Sequence, residues 1–566
     1  MELSRLRKAA TSNGTSSEDV LVGYDAEDED RGSREQATLL PHGSDGCDAS
    51  TQFRPRASRL EQVLYASFLL GGPLVFGLSF ASRNAKVEAA ALVVWVALWW
   101  ITEIIPLGLT AFVPSIALPL MGLCKPSEVT ACYLNPTIML FVQSFLLAGC
   151  VHKYNLHKRV ALNTMLVTGT KPGGILLGSI VITATLSMWM SNTSTSAMMV
   201  PLATSLYEAL VEKRSGDEEA GAEDPGDDGS QRRSDAQKFG KGLMLSVAYS
   251  ASIGGTATPI GTGPNLVLMQ TWEDAFGESP SFLTFFGFGF SYAAVMLVLL
   301  YAFVYFFFCR GTAGTLPPTS PTQLRSMLRD LGPYSFPEKV VTASIFLVMA
   351  MWLTRKKPIL GWGDAIGGNS HDYMPVMAAA ILLSVVPERN PFGREGEGLI
   401  KRGPKILTMV QFRDVSWGVV FLLGGGFALS LGIQRSGLME NVSGALDYLK
   451  GHVGQFIFPL LITAAVTSAT EFVSNVAMSS IILPVLANLG PTSANLGLIP
   501  ATLACSCAFM LPSATPPNAL AYGSGFLTMK DMVTSGLVMN VVGISLITFW
   551  SIFVAPIFFP EYSTAI

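Results

Sequence analysis

The feature that most restricts this chain is a doubled stretch inside its apolar runs. One copy is Ser187-Met188-Trp189-Met190-Ser191-Asn192-Thr193-Ser194-Thr195, running on to Pro201. The other is Thr470-Glu471-Phe472-Val473-Ser474-Asn475-Val476-Ala477, running on to Pro484. They agree at the Ser-Asn pair, at a hydroxyl one helical turn before it, and at the downstream proline. A second interrupted run follows each copy: Gly254-Gly255-Thr256-Ala257-Thr258-Pro259 and Ser513-Ala514-Thr515-Pro516-Pro517-Asn518. Broken apolar segments at corresponding places in two halves of a membrane chain mark a secondary transporter with its site between the breaks.

The surroundings are those of a membrane protein. Of 566 residues, 50% are hydrophobic and 14% charged. Runs such as Gln62–Phe80, Ala89–Trp100, Phe285–Cys309, Val340–Leu353 and Leu537–Phe559 predict roughly eleven or twelve crossings of a lipid bilayer. The expected fold class is an all-α polytopic membrane protein built from two inverted repeats. The net charge of −4 is small and says little about partners, and no basic stripe suggests nucleic acid. The seven cysteines and five histidines do not cluster, so neither a disulfide framework nor a metal cluster is expected. His152 and His157 read as membrane-edge residues. No nucleophile–base pair points to an enzyme.

The organisation follows from composition. Residues 1–60 form a polar tail, expected to be disordered. Arg54, Arg56 and Arg59 before the first apolar run place it in the cytoplasm. Residues 61–310 make the first repeat, with a flexible acidic loop at 212–241. A polar linker spans 311–337, and 338–566 make the second repeat. Glu35-Gln36-Ala37-Thr38-Leu39-Leu40 has the spacing of an acidic dileucine signal, which would direct the chain to an endosomal, lysosomal or vacuolar membrane; chance in a low-complexity tail is the alternative, with the plasma membrane then open. Asn441-Val442-Ser443 has the form of a glycosylation sequon. Glu103, beside Pro106 and a Trp pair, reads as a structural carboxylate near the interface rather than a mid-membrane acid. Ile138–Val151 with its basic end, and Trp417–Phe427 with its glycines, fit either re-entrant hairpins or ordinary spans packed closely through small residues.

Ser, Thr and Asn compete for backbone hydrogen bonds and disfavour helix interiors. Three of them at Ser191-Asn192-Thr193 predict a break, with a new half-helix capped by a hydroxyl. Freed amides at a half-helix start suit a carboxylate or other oxyanion. Freed carbonyls, hydroxyls and the Asn amide oxygen suit a hard cation such as Na⁺. No Arg or Lys lies in the broken segments, so an anion there would depend on bound cations, and each ligand would raise the affinity of the other.

These residues resemble the divalent anion/sodium symporter family, carriers of di- and tricarboxylates or sulfate. The resemblance runs from about Glu61 to the C-terminus. It rests on Trp100–Pro106, Asn155–Arg159, both Ser-Asn motifs, Gly254–Thr258, Leu423–Leu429 and Cys507–Ala519. It implies a homodimer in which a transport domain with two re-entrant hairpins moves as an elevator against a scaffold. It also implies one Na⁺ site per repeat: Ser187, Ser191 and Asn192 with carbonyls near Gly255, and Thr470, Ser474 and Asn475 with carbonyls near Ala514. The anion would lie near Ser191, Asn192, Thr193, Thr256, Ser474, Asn475, Thr515 and Pro516. Val476 departs from members with Thr at that position and removes a hydroxyl. The expected activity is sodium-coupled symport of C4-dicarboxylates such as succinate, malate or fumarate. The alternatives are a sodium-independent dicarboxylate carrier or exchanger, a sulfate or citrate symporter, and an anion channel or non-transporting scaffold.

Overall fold

The computed structural model describes residues 59–169, 171–212, 228–310, 321–356, 361–366, 370–390, 403–487 and 496–560. Val63–Ile566 forms one compact unit. The dileucine motif, Arg54 and Arg56 lie outside the described residues, as do residues 213–227 of the loop expected at 212–241; residues 228–241 are not loop but the start of the helix Asp228–Gly255. The chain is an all-helical integral membrane protein. Among the described residues six helices are long and apolar enough to cross a bilayer, and six shorter apolar helices, among them Pro172–Ser187 and Asn475–Ala487, accompany them. Three of the short ones, Pro172–Ser187, Phe456–Thr470 and Asn475–Ala487, border the Ser-Asn breaks.

The first half contains α1 (Arg59–Ser79), α2 (Ala85–Thr102), α3 (Leu107–Thr110), α4 (Val113–Leu120), α5 (Pro126–Cys132), α6 (Pro136–Lys153) and α7 (Leu156–Thr168). Next come the paired arms α8 (Pro172–Ser187) and α9 (Asn192–Glu212), then α10 (Asp228–Gly255), α11 (Gly263–Phe276) and α12 (Phe282–Val304). In the linker, α13 (Pro321–Asp330) buries Leu324 and packs on α7. The second half contains α14 (Phe336–Leu353), α15 (Tyr373–Val385), α16 (Trp417–Ser436), α17 (Leu438–Thr470), α18 (Asn475–Ala487), α19 (Leu498–Ala504), α20 (Pro516–Gly523) and α21 (Met529–Phe549). Non-helical backbone at Gly454 (φ 77°) divides α17 and makes its last part the partner arm of α18.

The halves repeat each other in detail. Asn155 at the start of α7 (φ 51°) and Gly437 at the start of α17 (φ 69°) both adopt the left-handed conformation. Trp100-Ile101-Thr102 ends α2, and Trp352-Leu353 followed by the C-cap Thr354 ends α14. Glu103, which caps α2 with φ 48°, is exposed. Its counterpart Arg355 is buried in an ion pair with Asp372 at 2.6 Å.

The glycine-rich run Leu423–Leu429 is not a hairpin tip, because α16 passes through it unbroken. Its glycines are there for contact: a Cβ on Gly425 would fall 2.5 Å from Ala111 O, and one on Gly426 would fall 2.4 Å from Ser480 Oγ. In hydrocarbon, where burial of apolar surface does not drive helices together, such close packing does. The same device joins α8 to α10, where a Cβ on Gly254 would lie 2.4 Å from Ala184 O. Likewise α6 is continuous through Ile138–Val151. The breaks marked by the paired motifs lie at α8–α9, the α10–α11 junction, α17–α18 and the α19–α20 junction.

His152 and His157 stack with ring centroids 5.4 Å apart. His157 Nδ1 lies 3.4 Å from Val151 O. Burial pushes the His157 imidazole down to about 4, so it is neutral at physiological pH.

Candidate functional site

At the first break α8 ends at Ser187 and α9 starts at Asn192. Ser191 caps the new helix, its Oγ accepting from Ser194 N at 3.2 Å and donating to Ser194 Oγ at 2.9 Å. Ser187 Oγ lies 2.7 Å from Asn192 Oδ1 and 2.6 Å from Ala251 O. The second break repeats this: Thr470 Oγ1 lies 3.3 Å from Asn475 Oδ1 and 3.1 Å from Cys505 O. Each hydroxyl has one proton and faces two acceptor oxygens. Three neutral oxygens sharing a single proton, in a site with little water, are a donor set short of positive charge. That fits a hard cation.

The loops that complete each cluster are tied by matched asparagines. Asn265 Nδ2 donates to Gly255 O at 3.2 Å and Thr258 O at 2.7 Å. Asn518 Nδ2 donates to Ala508 O at 2.9 Å and Leu511 O at 3.0 Å. By this pairing the counterpart of Gly255 is Ala508. That of Thr515 is Thr262, not Thr256: Thr262 and Thr515 cap α11 and α20 with the same extended backbone (φ −145°, ψ 151° and φ −152°, ψ 144°). Thr256 instead turns its hydroxyl to Ile253 O at 2.6 Å. Gly255 does lie against Asn192, since a Cβ there would fall 2.4 Å from Oδ1 and 3.1 Å from Gly261 O. Gly261 is the first-half counterpart of Ala514.

Each half closes on the other. α9 packs on α20, and α18 packs on α11. A Cβ on Gly263 would meet Val476 Cγ2 at 2.3 Å, so the valine lies over the start of α11. Tyr249 of α10 donates to Phe509 O at 3.0 Å. Of the sequence-selected residues, Ser187, Asn192 and Gly255 meet at one cluster, and Thr470 and Asn475 at the other. Thr193 and Pro516 are exposed beside them, while Ser191 and Ser474 are half-buried at the helix starts. Thr515 and Ala514 are buried near the start of α20.

The sequence reading passed over one group. Glu471 is 3% exposed and stands where the first half has Met188. Its Oε1 accepts from Phe509 N (2.9 Å), Met510 N (3.0 Å) and Asn540 Nδ2 (2.7 Å). Its Oε2 accepts from Met510 N and Leu511 N, both at 3.1 Å. In the first half the equivalent link is neutral, with Thr258 donating to Met188 O at 2.5 Å. An acid inside an apolar run was the available signal. Among the described residues no group of His, Cys, Asp and Glu is arranged to hold a metal ion.

A model of the sodium:sulfate symporter transmembrane region matches residues 70–558. The chain is 34% identical over 498 residues to the sodium-dependent dicarboxylate transporter SdcS of Staphylococcus saprophyticus, covering 86% of this chain and 91% of that one. It is 34% identical over 556 residues to solute carrier family 13 member 2 of Rattus norvegicus, with 88% and 93% covered. It is 34% identical over 510 residues to the Na(+)/citrate cotransporter of the same organism, with 81% and 88% covered. With its paired breaks and a match along nearly the whole helical unit, the chain belongs to the sodium:sulfate symporter family.

Proposed function

We propose that this chain is a sodium-coupled symporter of dicarboxylates, with one Na⁺ held at each Ser/Thr–Asn break and the dianion between them. The observation that carries the reading is the twice-built cluster of three neutral oxygens around one hydroxyl proton. The coordinating set for Na⁺ is Ser187, Asn192 and Ala251 O in one half, and Thr470, Asn475 and Cys505 O in the other. The carboxylates of the substrate meet the starts of α9 and α18 at Ser191, Asn192, Thr193, Ser474 and Asn475, with Thr262 and Thr515 at the facing helix starts. Lacking a nearby Lys or Arg, the dianion relies on the bound cations and the amides, which makes its binding conditional on Na⁺. The relatives named for dicarboxylate and citrate support carboxylates over sulfate. The protein works as a homodimer in which the hairpins α8–α9 and α17–α18 carry the site across the membrane against α2, α6, α14 and α16.

The test is uptake of labelled succinate into proteoliposomes with inward Na⁺ or K⁺ gradients, with citrate and sulfate as competitors. The reading expects uptake only with Na⁺ and competition by dicarboxylates. Equal uptake in K⁺, driven by internal dicarboxylate, would replace it with an exchanger. Flux that does not saturate would replace it with a channel.

A further inference from the structure

The two hairpins meet the rest of the bundle differently, although their sequences and the helices they face are matched. In the first half Trp189, two residues before Ser191, points away from the oxygen cluster. It stacks on Trp352 of α14 with centroids 6.2 Å apart and planes 9° from parallel. The other face of the seam is Phe282 of α12, 4.5 Å from Trp352. Trp352 itself is 3% exposed, and its indole N–H donates to Asp372 O at 2.7 Å. The equivalent of Trp189 is Phe472, and the equivalent of Trp352 is Trp100. That contact is not made: Phe472 is 71% exposed. Trp100 is instead in the buried cluster that holds Val473 and Ala477 of the second hairpin. The same position on the frame therefore stacks on residue 189 of one hairpin, but in the other half shares a buried cluster with residues beyond the corresponding position.

We propose that Trp189 on Trp352, and Phe472 on Trp100, are alternating braces, one made in each of the two positions the hairpins take along the frame. The structure has the first brace closed and the second open. Two matched aromatic contacts that cannot both be made give the carrier two discrete resting positions rather than a continuum. A large exposed Phe at the tip of a hairpin is explained if its partner is met only in the other position. Trp189 and Phe472 are positioning residues: they touch neither substrate nor cation, but set where the adjoining Ser-Asn site rests. This rests on the carrier reading above.

The experiment places spin labels at the exposed Gln434→Cys on the frame helix α16 and Glu208→Cys on the hairpin arm α9, in the full chain in proteoliposomes. Pulsed electron–electron distances then give the populations of the two positions, with succinate uptake measured in parallel. Loss of a stacked aromatic pair should shift the populations about 2- to 10-fold. Trp189→Leu and Trp352→Ala should both shift them away from the position seen here. Phe472→Ala, which removes no packing in this position, should shift them towards it. Trp189→Leu with Phe472→Ala should return the balance towards wild type. Wild-type populations in all variants, or shifts of one sign, would overturn the braces even if uptake is sodium-coupled. Wild-type protein without sodium-coupled uptake would sink the carrier reading instead. Trp189→Leu keeps the test open if Trp352→Ala fails to fold, because the Trp189 ring is only half-buried.

Discussion

Replacing Glu471 by Gln changes no volume and tests whether the second break is held by charge. The carboxylate accepts five hydrogen bonds, three through Oε1 and two through Oε2. Gln keeps one acceptor oxygen. With that oxygen at the Oε1 position, Met510 N–H keeps its acceptor there, but the NH₂ group faces Leu511 N–H, donor against donor. A buried donor left unpaired costs about 1–3 kcal/mol, released by the loop moving away. That loop continues from Cys505, whose carbonyl meets Thr470. If about 1.4 kcal/mol of this is felt by the cation at the second break, half-saturating Na⁺ rises about tenfold. The assay is succinate uptake against Na⁺ concentration, with thermal unfolding of purified protein in parallel. Met188→Leu at the equivalent first-half position is the control, since Thr258 bonds the Met188 carbonyl and not its side chain. Wild-type Na⁺ dependence together with wild-type stability in Glu471→Gln would refute the reasoning.

Asn192→Ala and Asn475→Ala each remove one oxygen from a three-oxygen cluster; uptake should fall below detection in both, while surface biotinylation and size-exclusion profiles stay normal. Gly263→Ala brings a methyl to within 2.3 Å of Val476 Cγ2; because Val is stiff, overpacking should cost about 1–3 kcal/mol in unfolding, and Val476→Ala in the same chain should restore most of it. His157 is depressed to about 4 by burial, below its unfolded value of about 6.5. The unfolded state therefore binds more protons between those values, and stability is lost as pH falls from about 6.5 towards 4. His157→Gln should flatten that part of a melting-temperature profile against pH.

The breaks were legible because Ser-Asn pairs in apolar runs have a local cost that only a function or a partner offsets. Their hydroxyls one turn earlier were legible for the same reason, as was the reuse of the pattern in both halves. The Gly254–Pro259 run draws the eye, yet the matching letters are Thr262-Gly263-Pro264-Asn265 against Thr515-Pro516-Pro517-Asn518. The asparagine clamps make that register plain. Whether Gly424-Gly425-Gly426 turned or packed could not be decided from the run itself, since the answer lies in Ala111 and Ser480, far away in sequence. Glu471 was written in the motif but unread, because its meaning depends on three successive amides in another segment. The exposed Phe472 and the stacked Trp189 are equivalent letters in different surroundings, which no sequence comparison could separate.

The measurement that tests the central claim most directly is succinate binding to purified protein as a function of Na⁺ concentration, in wild type, Asn192→Ala and Asn475→Ala. With a cation at each break, wild-type affinity should rise more steeply than the first power of Na⁺ concentration. Linkage requires succinate to raise Na⁺ affinity by the same factor, and each variant should have a shallower rise. Succinate affinity that does not change with Na⁺, or a slope unaltered in both variants, would contradict the account.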